Sequence, residues 1–207
     1  AVTACVANAG YTGPDGSTPT ACSAGDYKEV SGNEECANCS ANSGTLGQGS
    51  VSPAACVCHA GHMGPDGGAC TACNASTYKN ETGPATCTNC PDHTGVSTPE
   101  SDEEDDCVGI AGYSGQGASV LACAANTFKA ESLSADACEG CPLNSGTGSD
   151  TGTIAESDCL ASAGYTGSGI SVAACAKGTY KETETSAVAC TDCPDNSATG
   201  GATGSSA

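Results

Sequence analysis

The chain has very few of the residues that build an ordinary protein core. It contains no tryptophan and one phenylalanine among 207 residues, and Leu, Ile, Val and Phe together number 19. Burying so little apolar surface cannot offset the conformational entropy of a chain of this length. The composition therefore excludes one packed core of ordinary domain size, and stability must come from another source.

Positive charge is also scarce. There is no arginine, and five lysines stand against 24 acidic residues, which gives a formal net charge of -19. Such a chain has no electrostatic footprint for nucleic acid or anionic membranes. No apolar run reaches the roughly 18 residues of a membrane span. We expect no nucleic-acid partner and no membrane insertion by this segment. Because no signal peptide opens the chain, we also expect a mature or excised segment.

Cysteine, in contrast, is abundant. Eighteen cysteines in 207 residues are typical of a disulfide scaffold, which forms in oxidising compartments and can replace a hydrophobic core. We therefore expect the chain to be extracellular or at the cell surface.

The cysteines follow an internal repeat of about 51 residues with four cysteines per copy. A CxxC pair occurs in each copy, at Cys36/Cys39, Cys87/Cys90, Cys138/Cys141 and Cys190/Cys193. The two other series are Cys22, Cys73, Cys123 and Cys175, and Cys5, Cys56, Cys107 and Cys159.

All seven aromatic residues also fall at two positions of the repeat. One position follows a glycine, at Tyr11, Tyr113 and Tyr165, with His62 in the second copy; the other precedes a lysine, at Tyr27-Lys28, Tyr78-Lys79, Phe128-Lys129 and Tyr180-Lys181. Such placement of scarce residues predicts a structural role, a ring that covers a disulfide from a short strand. A binding role for the aromatic-lysine pair is the alternative.

The remaining sequence indicates hairpins rather than helices. Segments such as Gly13-Pro14-Asp15-Gly16 and Gly64-Pro65-Asp66-Gly67 are turn signals, because proline presets one backbone angle and glycine permits positive φ. No window shows helical apolar periodicity. The predicted fold class is small and disulfide-rich, mostly β hairpins and loops.

The second copy has two additional cysteines, Cys58 and Cys70. The other copies have a different residue at both places: Ala7 and Pro19, Gly109 and Val120, and Ala161 and Val172. The joint presence or absence of the two cysteines predicts that they are bonded to each other.

Two motifs resemble known cysteine-rich modules. Cys56-Val-Cys58 with Gly61-His62 and Cys70 resembles the C-terminal half of an EGF-like module. Gly178-Thr179-Tyr180-Lys181 and Cys193-Pro194-Asp195-Asn196-Ser197 resemble the cysteine-rich EGF-like repeat of ephrin receptors and of many surface proteins of unicellular eukaryotes. The resemblance implies a tandem array of EGF-like modules forming an elongated rod. The expected boundaries are a closing hairpin of a preceding module at 1–21, modules at 22–72, 73–122 and 123–174, and an incomplete module at 175–207 that the next unit completes.

The resemblance also implies the EGF-type disulfide pairing, first cysteine to third, second to fourth and fifth to sixth. The implied bonds are Cys22–Cys39, Cys36–Cys56, Cys58–Cys70, Cys73–Cys90, Cys87–Cys107, Cys123–Cys141, Cys138–Cys159 and Cys175–Cys193. Sequential pairing, such as Cys22–Cys36 and Cys39–Cys56, is the rival that spacing alone does not exclude.

Either pairing leaves one cysteine over near each end of the chain. In the EGF-type scheme the two are Cys5 and Cys190, and we expect an inter-unit Cys190–Cys5 bond. In the sequential scheme they are Cys5 and Cys193. The chain is therefore expected to continue head to tail in register, as a window of a longer tandem polypeptide or as separate linked subunits.

Metal binding and catalysis have little support in the sequence. A zinc site usually joins two CxxC knuckles, whereas each copy of the repeat has one. The histidines that could serve as further ligands, His59 and His62, lie near the CxxC motif of one copy. The acidic run from Glu100 to Asp106 does not match a calcium-binding loop and is interpreted as a solvated loop. None of His59, His62 and His93 has the partners of a catalytic triad. We expect no metal, no cofactor and no enzymatic activity.

The sequence favours a structural role outside the cell. We expect a structural subunit of an extracellular filament or surface coat, assembled head to tail from disulfide-bonded repeats. A ligand-binding or adhesive stalk of a cell-surface receptor is the alternative, although the chain has no cluster of exposed aromatics or arginines that would make a binding hot spot. Asn74-Ala-Ser76 and Asn80-Glu-Thr82 are glycosylation sequons, so glycans on Asn74 and Asn80 are expected.

Overall fold

The computed structural model of the protein describes residues 5–96 and 98–206. Over these residues the chain forms short antiparallel strand pairs, 3-10 turns and loops, without an α-helix. The predicted fold class, small, disulfide-rich and rich in hairpins, is confirmed. Among the described residues, no helix has the length and apolar character that a membrane span requires.

Three kinds of strand pair recur along the chain, and we name them by their place in the repeat. The entry pairs are Tyr11–Thr12 with Thr20–Ala21, His62–Met63 with Thr71–Ala72, Tyr113–Ser114 with Leu121–Ala122, and Tyr165–Thr166 with Ala173–Ala174. The lysine pairs are Asp26–Tyr27 with Ala37–Asn38, Thr77–Tyr78 with Thr88–Asn89, Thr127–Phe128 with Glu139–Gly140, and Thr179–Tyr180 with Thr191–Asp192. The closing pairs are Ser43–Thr45 with Cys56–Cys58, Thr94–Gly95 with Val108–Gly109, and Ser145–Gly146 with Leu160–Ala161.

Turns join these strands where the sequence predicts them. In Gly13-Pro14-Asp15-Gly16 the glycine after the aspartate has a φ of 74°, and Ser17 N–H donates to the Pro14 carbonyl at 3.1 Å. The 3-10 turns are Pro53–Ala55, Glu104–Asp106, Gly117–Ser119, Glu156–Asp158 and Gly169–Ser171.

The disulfides follow the sequential scheme. The bonds are Cys22–Cys36, Cys39–Cys56, Cys58–Cys70, Cys73–Cys87, Cys123–Cys138, Cys141–Cys159 and Cys175–Cys190, and Cys90 and Cys107 are also disulfide-bonded. The bond predicted between Cys58 and Cys70 is therefore present. The EGF-type pairing is wrong for Cys22–Cys39, Cys36–Cys56, Cys73–Cys90, Cys87–Cys107, Cys123–Cys141, Cys138–Cys159 and Cys175–Cys193. The inter-unit Cys190–Cys5 bond is wrong as well, because Cys190 is bonded to Cys175.

The lysine pair explains why the two cysteines of a CxxC motif take different partners. In the first copy, Ala37–Asn38 separates Cys36 from Cys39, so the two lie at opposite ends of the strand. At one end, Cys22 and Lys28 are joined through Gly10, because Cys22 N–H donates to Gly10 and Gly10 N–H donates to Lys28. These contacts bring Cys22 to Cys36, with their Cα atoms 5.8 Å apart.

At the other end of the same strand, Cys39 N–H donates to the Gly25 carbonyl at 2.9 Å. Gly25 N–H in turn donates to Oγ1 of Thr45, and Thr45 lies opposite Cys56 in the closing pair. This chain of contacts brings Cys39 to Cys56, with their Cα atoms 5.6 Å apart.

Bonded cysteines make up most of the buried apolar interior. The fully buried side chains include Cys22, Cys58, Cys73, Cys107, Cys123, Cys159 and Cys175. The chain divides into two compact units, one of residues 1–90 and 96–106 and one of residues 91–95 and 107–207. Disulfides thus take the place of the missing hydrophobic core in each unit, as the composition predicts.

Candidate functional site

Four of the five lysines are buried, which is unusual for a charged side chain. Lys28, Lys79, Lys129 and Lys181, which we call the buried lysines, are 3%, 3%, 4% and 3% exposed. Each directly follows the aromatic residue of a lysine pair. The fifth, Lys177, is exposed. The aromatic-lysine motif therefore points its ammonium group into the protein rather than toward a ligand.

Backbone carbonyls surround each buried ammonium group. Lys129 Nζ donates to the carbonyls of Gly109, Tyr113 and Ser134 at 3.2, 2.8 and 2.5 Å. The other copies repeat the arrangement: Lys28 donates to Tyr11 and Gly32; Lys79 to His59, His62 and Gly83; and Lys181 to Ala161, Ser162, Tyr165 and Ser186. One side chain therefore ties an entry strand to the loop that follows the lysine.

The backbone of each buried lysine continues this tie. Lys129 N–H donates to the Thr153 carbonyl at 3.0 Å, and the Lys129 carbonyl accepts from Gly112 N–H at 2.9 Å. The lysine thus connects segments on three sides. In a protein with so few large apolar side chains, a long methylene stem with three donors at its end is an efficient connector.

Burial makes these ammonium groups electrostatically unusual. Desolvation lowers the pKa of Lys79 and of Lys181 from its ordinary value, and nearby Glu81 and Glu184 partly oppose that shift. A buried charge is tolerated when hydrogen bonds replace its hydration, and the carbonyl oxygens supply them here. Because their ammonium groups are buried and hydrogen-bonded to backbone carbonyls, the buried lysines hold the fold together and are poorly placed to bind a ligand.

A glycine with positive φ brings the entry strand close to a loop that lies far along the chain. Gly112 has a φ of 81°, and a Cβ atom there would collide with the carbonyl of Gly152. Gly10, Gly61 and Gly164 make the same close approach to Gly49, Glu100 and Gly204. The glycine of each Gly-aromatic step is required by this contact and not only by a turn.

The second copy departs from the others at this contact. Glu100 takes the place of glycine with a φ of 72°, and His62 takes the place of tyrosine. His62 Nε2 lies 3.7 Å from Glu100 Oε1. Of the other two histidines, His93 stacks on Tyr113 with ring centroids 4.0 Å apart. The backbone N–H of His59 donates to the Asn42 carbonyl.

The cysteines offer few thiolates for a metal. The structure divides the CxxC motif between two disulfides, as with Cys36 and Cys39. The free cysteines among the described residues are Cys5, which is exposed, and Cys193, which is half-buried. In residues 5–96 and 98–206, no three His, Cys, Asp or Glu side chains come together as a metal site.

The acidic run is exposed to solvent from Asp102 to Asp106. The Asp106 carboxylate accepts hydrogen bonds from the backbone N–H groups of Asp102 and Glu103, at 3.0 and 3.1 Å, so it closes a local turn. Asn74 and Asn80, the sequon residues, are also exposed.

Open depressions mark the surface of the second compact unit, which comprises residues 91–95 and 107–207. One of about 780 Å³ is lined by polar residues between Thr147 and Asp158, together with Ile154 and Leu160. Another of about 500 Å³ lies beside the free Cys193 and is bordered by Tyr180, Ser197 and Ala198. The second depression borders the loop after Cys193, in which Ser197 and Ala198 form no strand.

Sequence reasoning missed the burial of the lysines. It placed the aromatic ring of the motif on a short strand, which is confirmed, and expected that ring to be the structural element. The available signal was that four of five lysines occupy one repeat position in a chain with 24 acids. If these lysines served only to balance negative charge, they would not need to occupy the same position of each repeat.

Comparison with known proteins agrees with this architecture. Residues 61–107 match the family described as tyrosine-protein kinase ephrin type A/B receptor-like. The match spans most of one repeat, from Gly61 to Cys107, and confirms the resemblance for these residues. A search of curated proteins found no match to the chain. The match and the tandem disulfides together indicate an extracellular, disulfide-rich module.

Proposed function

We propose that the chain is a structural subunit of an extracellular filament or surface coat, built head to tail from its repeats. The observation that supports it is that Cys5 and Cys193 are free and that each stands, by its place in the repeat, where one half of a closing pair stands in the other copies. Buried lysines and disulfides hold the strand pairs of the repeats together, as a structural subunit requires.

The first half is the segment Cys5–Ala7, which already has the inner contacts of a closing strand. Cys5 accepts from Gly16 N–H, and Ala7 accepts from Gly32 N–H, both at 2.9 Å. Cys56 and Cys58 accept from Gly67 and Gly83 in the same way. Ala7 is 4% exposed, whereas Val6 is 47% exposed. The segment therefore has the position of a closing strand, with its outer edge open among the described residues.

The second half is the loop after Cys193. Ser197 and Ala198 stand where Ser145–Gly146 stand in the third copy, but form no strand in the described structure. The depression of about 500 Å³ lies on this side, next to the free Cys193. In the third copy, that place is taken by Leu160–Ala161 and by the Cys141–Cys159 bond.

The third copy supplies the register for the join. Ser145 lies opposite Ala161, and Gly146 lies opposite Leu160. By equivalence, Ser197 pairs with Ala7 of the next unit and Ala198 pairs with Val6. Cys193 then bonds to Cys5, as the thiols lose two protons and give two electrons to an oxidant of the secretory or extracellular environment. This replaces the earlier expectation of a Cys190–Cys5 bond and suits either a continuous tandem polypeptide or separate subunits.

Glycans fit the same role. Asn74 and Asn80 are exposed on either side of the Thr77–Tyr78 strand, so an attached sugar would point into solvent. We propose that both are glycosylated. The intact mass of the native protein then exceeds the 19.8 kDa of the bare chain, whereas a mass equal to the bare chain, less the hydrogens lost on disulfide formation, contradicts glycosylation.

Electron microscopy of native material tests the proposed function. We expect regular filaments or a periodic coat. The proposal also requires that Cys193→Ser shortens or abolishes the filaments, whereas Lys177→Met, a change at an exposed lysine, leaves them intact. Isolated flexible stalks in the native material, carrying a bound ligand, would contradict the filament and favour the receptor-stalk alternative.

A further inference from the structure

The contacts between successive copies of the repeat follow one pattern. A residue of the earlier copy offers its backbone carbonyl to a backbone N–H of the later copy. The pairs are Asn42 with His59, His93 with Ile110, and Asn144 with Ser162, at 3.0, 3.0 and 2.9 Å. In the later copy, the residue that supplies this N–H also accepts a backbone hydrogen bond from the residue of the Gly-aromatic step, at His62, Tyr113 and Tyr165. The described structure thus shows three times how one copy receives the next.

Asn196 of the fourth copy already has the conformation of the residue that offers the carbonyl. Its φ is 63°, and the equivalent values are 61°, 65° and 62° at Asn42, His93 and Asn144. The turn around it is formed as well, because Ser197 N–H donates to the Pro194 carbonyl at 3.0 Å. In residues 5–96 and 98–206, no N–H donates to the Asn196 carbonyl. This loop is therefore pre-organised, which lowers the ordering cost of binding.

The first copy carries the matching half. Asn8 stands at the place of the N–H donors, and its carbonyl accepts from Tyr11 N–H at 3.0 Å. Within the described part of the chain, Asn8 N–H has no acceptor. Tyr11 is 42% exposed, whereas the equivalent residues are half-buried or buried, at Tyr113, Tyr165 and His62. The Tyr11 ring is therefore open where the equivalent rings are covered.

The Tyr113 ring shows what provides the cover. His93, which also offers the carbonyl at this contact, stacks on Tyr113 with ring centroids 4.0 Å apart and planes 5° apart. Asn196 holds the position of His93 in the fourth copy, and its planar amide can lie on a tyrosine ring in the same way. The cysteines differ in the same sense, since Cys5 is exposed and its equivalents are buried, at Cys56, Cys107 and Cys159.

We propose that Asn8 and Tyr11 form a docking surface for residues 194–198 of a second copy of this chain. The Asn196 carbonyl accepts from Asn8 N–H, and the Asn196 side chain lies on the Tyr11 ring. The proposal rests on the head-to-tail function proposed above and adds a non-covalent step, in which docking aligns Cys193 with Cys5 before their bond forms. Because the two surfaces differ, the contact is heterologous and can extend from copy to copy.

Sedimentation of Cys5→Ser/Cys193→Ser isolates the docking step, because this variant cannot form the bond between copies. We expect reversible association that strengthens as salt rises, since two chains of formal charge -19 repel each other. Tyr11→Ser in the same background should weaken association by roughly three- to tenfold, as for the loss of an aromatic contact. Leu143→Ser removes a side chain that is 89% exposed and should change association by less than about twofold.

Variants of Asn196 test the other half of the contact. Asn196→Val disfavours the left-handed backbone conformation that presents the carbonyl. Asn196→Gly permits that conformation and removes only the side chain. We expect both to weaken association, and Asn196→Val to weaken it more. Circular dichroism of each variant checks that the chain remains folded.

Oxidation of the wild-type chain gives a second readout. Oxidised glutathione accepts two electrons and two protons from the thiols and leaves as two molecules of glutathione. Docking should direct the thiols to a Cys193–Cys5 bond. Tyr11→Ser should give Cys5–Cys5 and Cys193–Cys193 bonds as well, which mass spectrometry of the linked peptides distinguishes.

The outcomes separate the docking surface from the proposed function. Absence of association in Cys5→Ser/Cys193→Ser, or association that Tyr11→Ser and Asn196→Val both leave unchanged, would overturn the docking surface. The same bonds in oxidised Tyr11→Ser as in the wild type would overturn it too. A Cys193–Cys5 bond in native filaments would then leave the proposed function standing, whereas native material with neither filaments nor that bond would overturn the proposed function.

Discussion

The buried lysines offer the most demanding test of how this protein holds together. In Lys129→Met the apolar stem is nearly conserved, but the carbonyls of Gly109, Tyr113 and Ser134 lose their shared donor. Gly109 keeps a hydrogen bond from the backbone N–H of Ser134, so two buried acceptors are left without a partner. At about 1 kcal/mol each, at the low end, the loss is about 2 kcal/mol. That is a large part of the stability of a small module.

Hydrogen exchange followed by mass spectrometry gives the readout. A loss of about 2 kcal/mol corresponds to a fall of roughly thirtyfold in the protection of amides in residues 107–135, if they exchange through unfolding of this region. Lys177→Met removes an exposed lysine from the same unit and should change protection by less than about twofold. Equal protection in Lys129→Met and the wild type would refute the structural role of the buried lysines.

Three further predictions concern the rest of the scaffold. Gly112 has a φ of 81° and a carbonyl in the path of a Cβ atom, so Gly112→Ala should lower the free energy of unfolding of its region by about 1–3 kcal/mol. Gly140 has open space around it, so Gly140→Ala should be nearly neutral. Equal effects of the two substitutions would contradict the close approach at Gly112. Cys58→Ser/Cys70→Ser should loosen its own hairpin by about 3 kcal/mol without unfolding the neighbouring strand pairs, which hydrogen exchange can resolve. Strong reductant should unfold the chain and EDTA should leave its circular dichroism unchanged; unfolding by EDTA alone would indicate a structural metal.

Composition and repeat spacing were sufficient to predict the class of fold. Scarce large apolar residues and regularly spaced cysteines exclude an ordinary core, and segments such as Pro14-Asp15-Gly16 mark the turns. The pair Cys58 and Cys70 could be assigned because both are absent from the other copies. These inferences depend on local chemistry and on comparison between copies.

The other disulfides could not be assigned in the same way. Cys36 and Cys39 occur together in the sequence, and their partners depend on which end of Ala37–Asn38 faces Cys22. That is decided by contacts such as Gly10 N–H to the Lys28 carbonyl, which join residues far apart in the chain. Burial of Lys129 was missed for a related reason, because its three acceptors come from two separate segments.

The disulfide map of the native assembly, obtained by mass spectrometry without reduction, tests the central claim most directly. The structure and the proposed head-to-tail join predict a Cys175–Cys190 bond within each unit and a Cys193–Cys5 bond between one unit and the next. A Cys175–Cys193 bond would contradict the sequential scaffold, and free thiols at both Cys193 and Cys5 would contradict the covalent join.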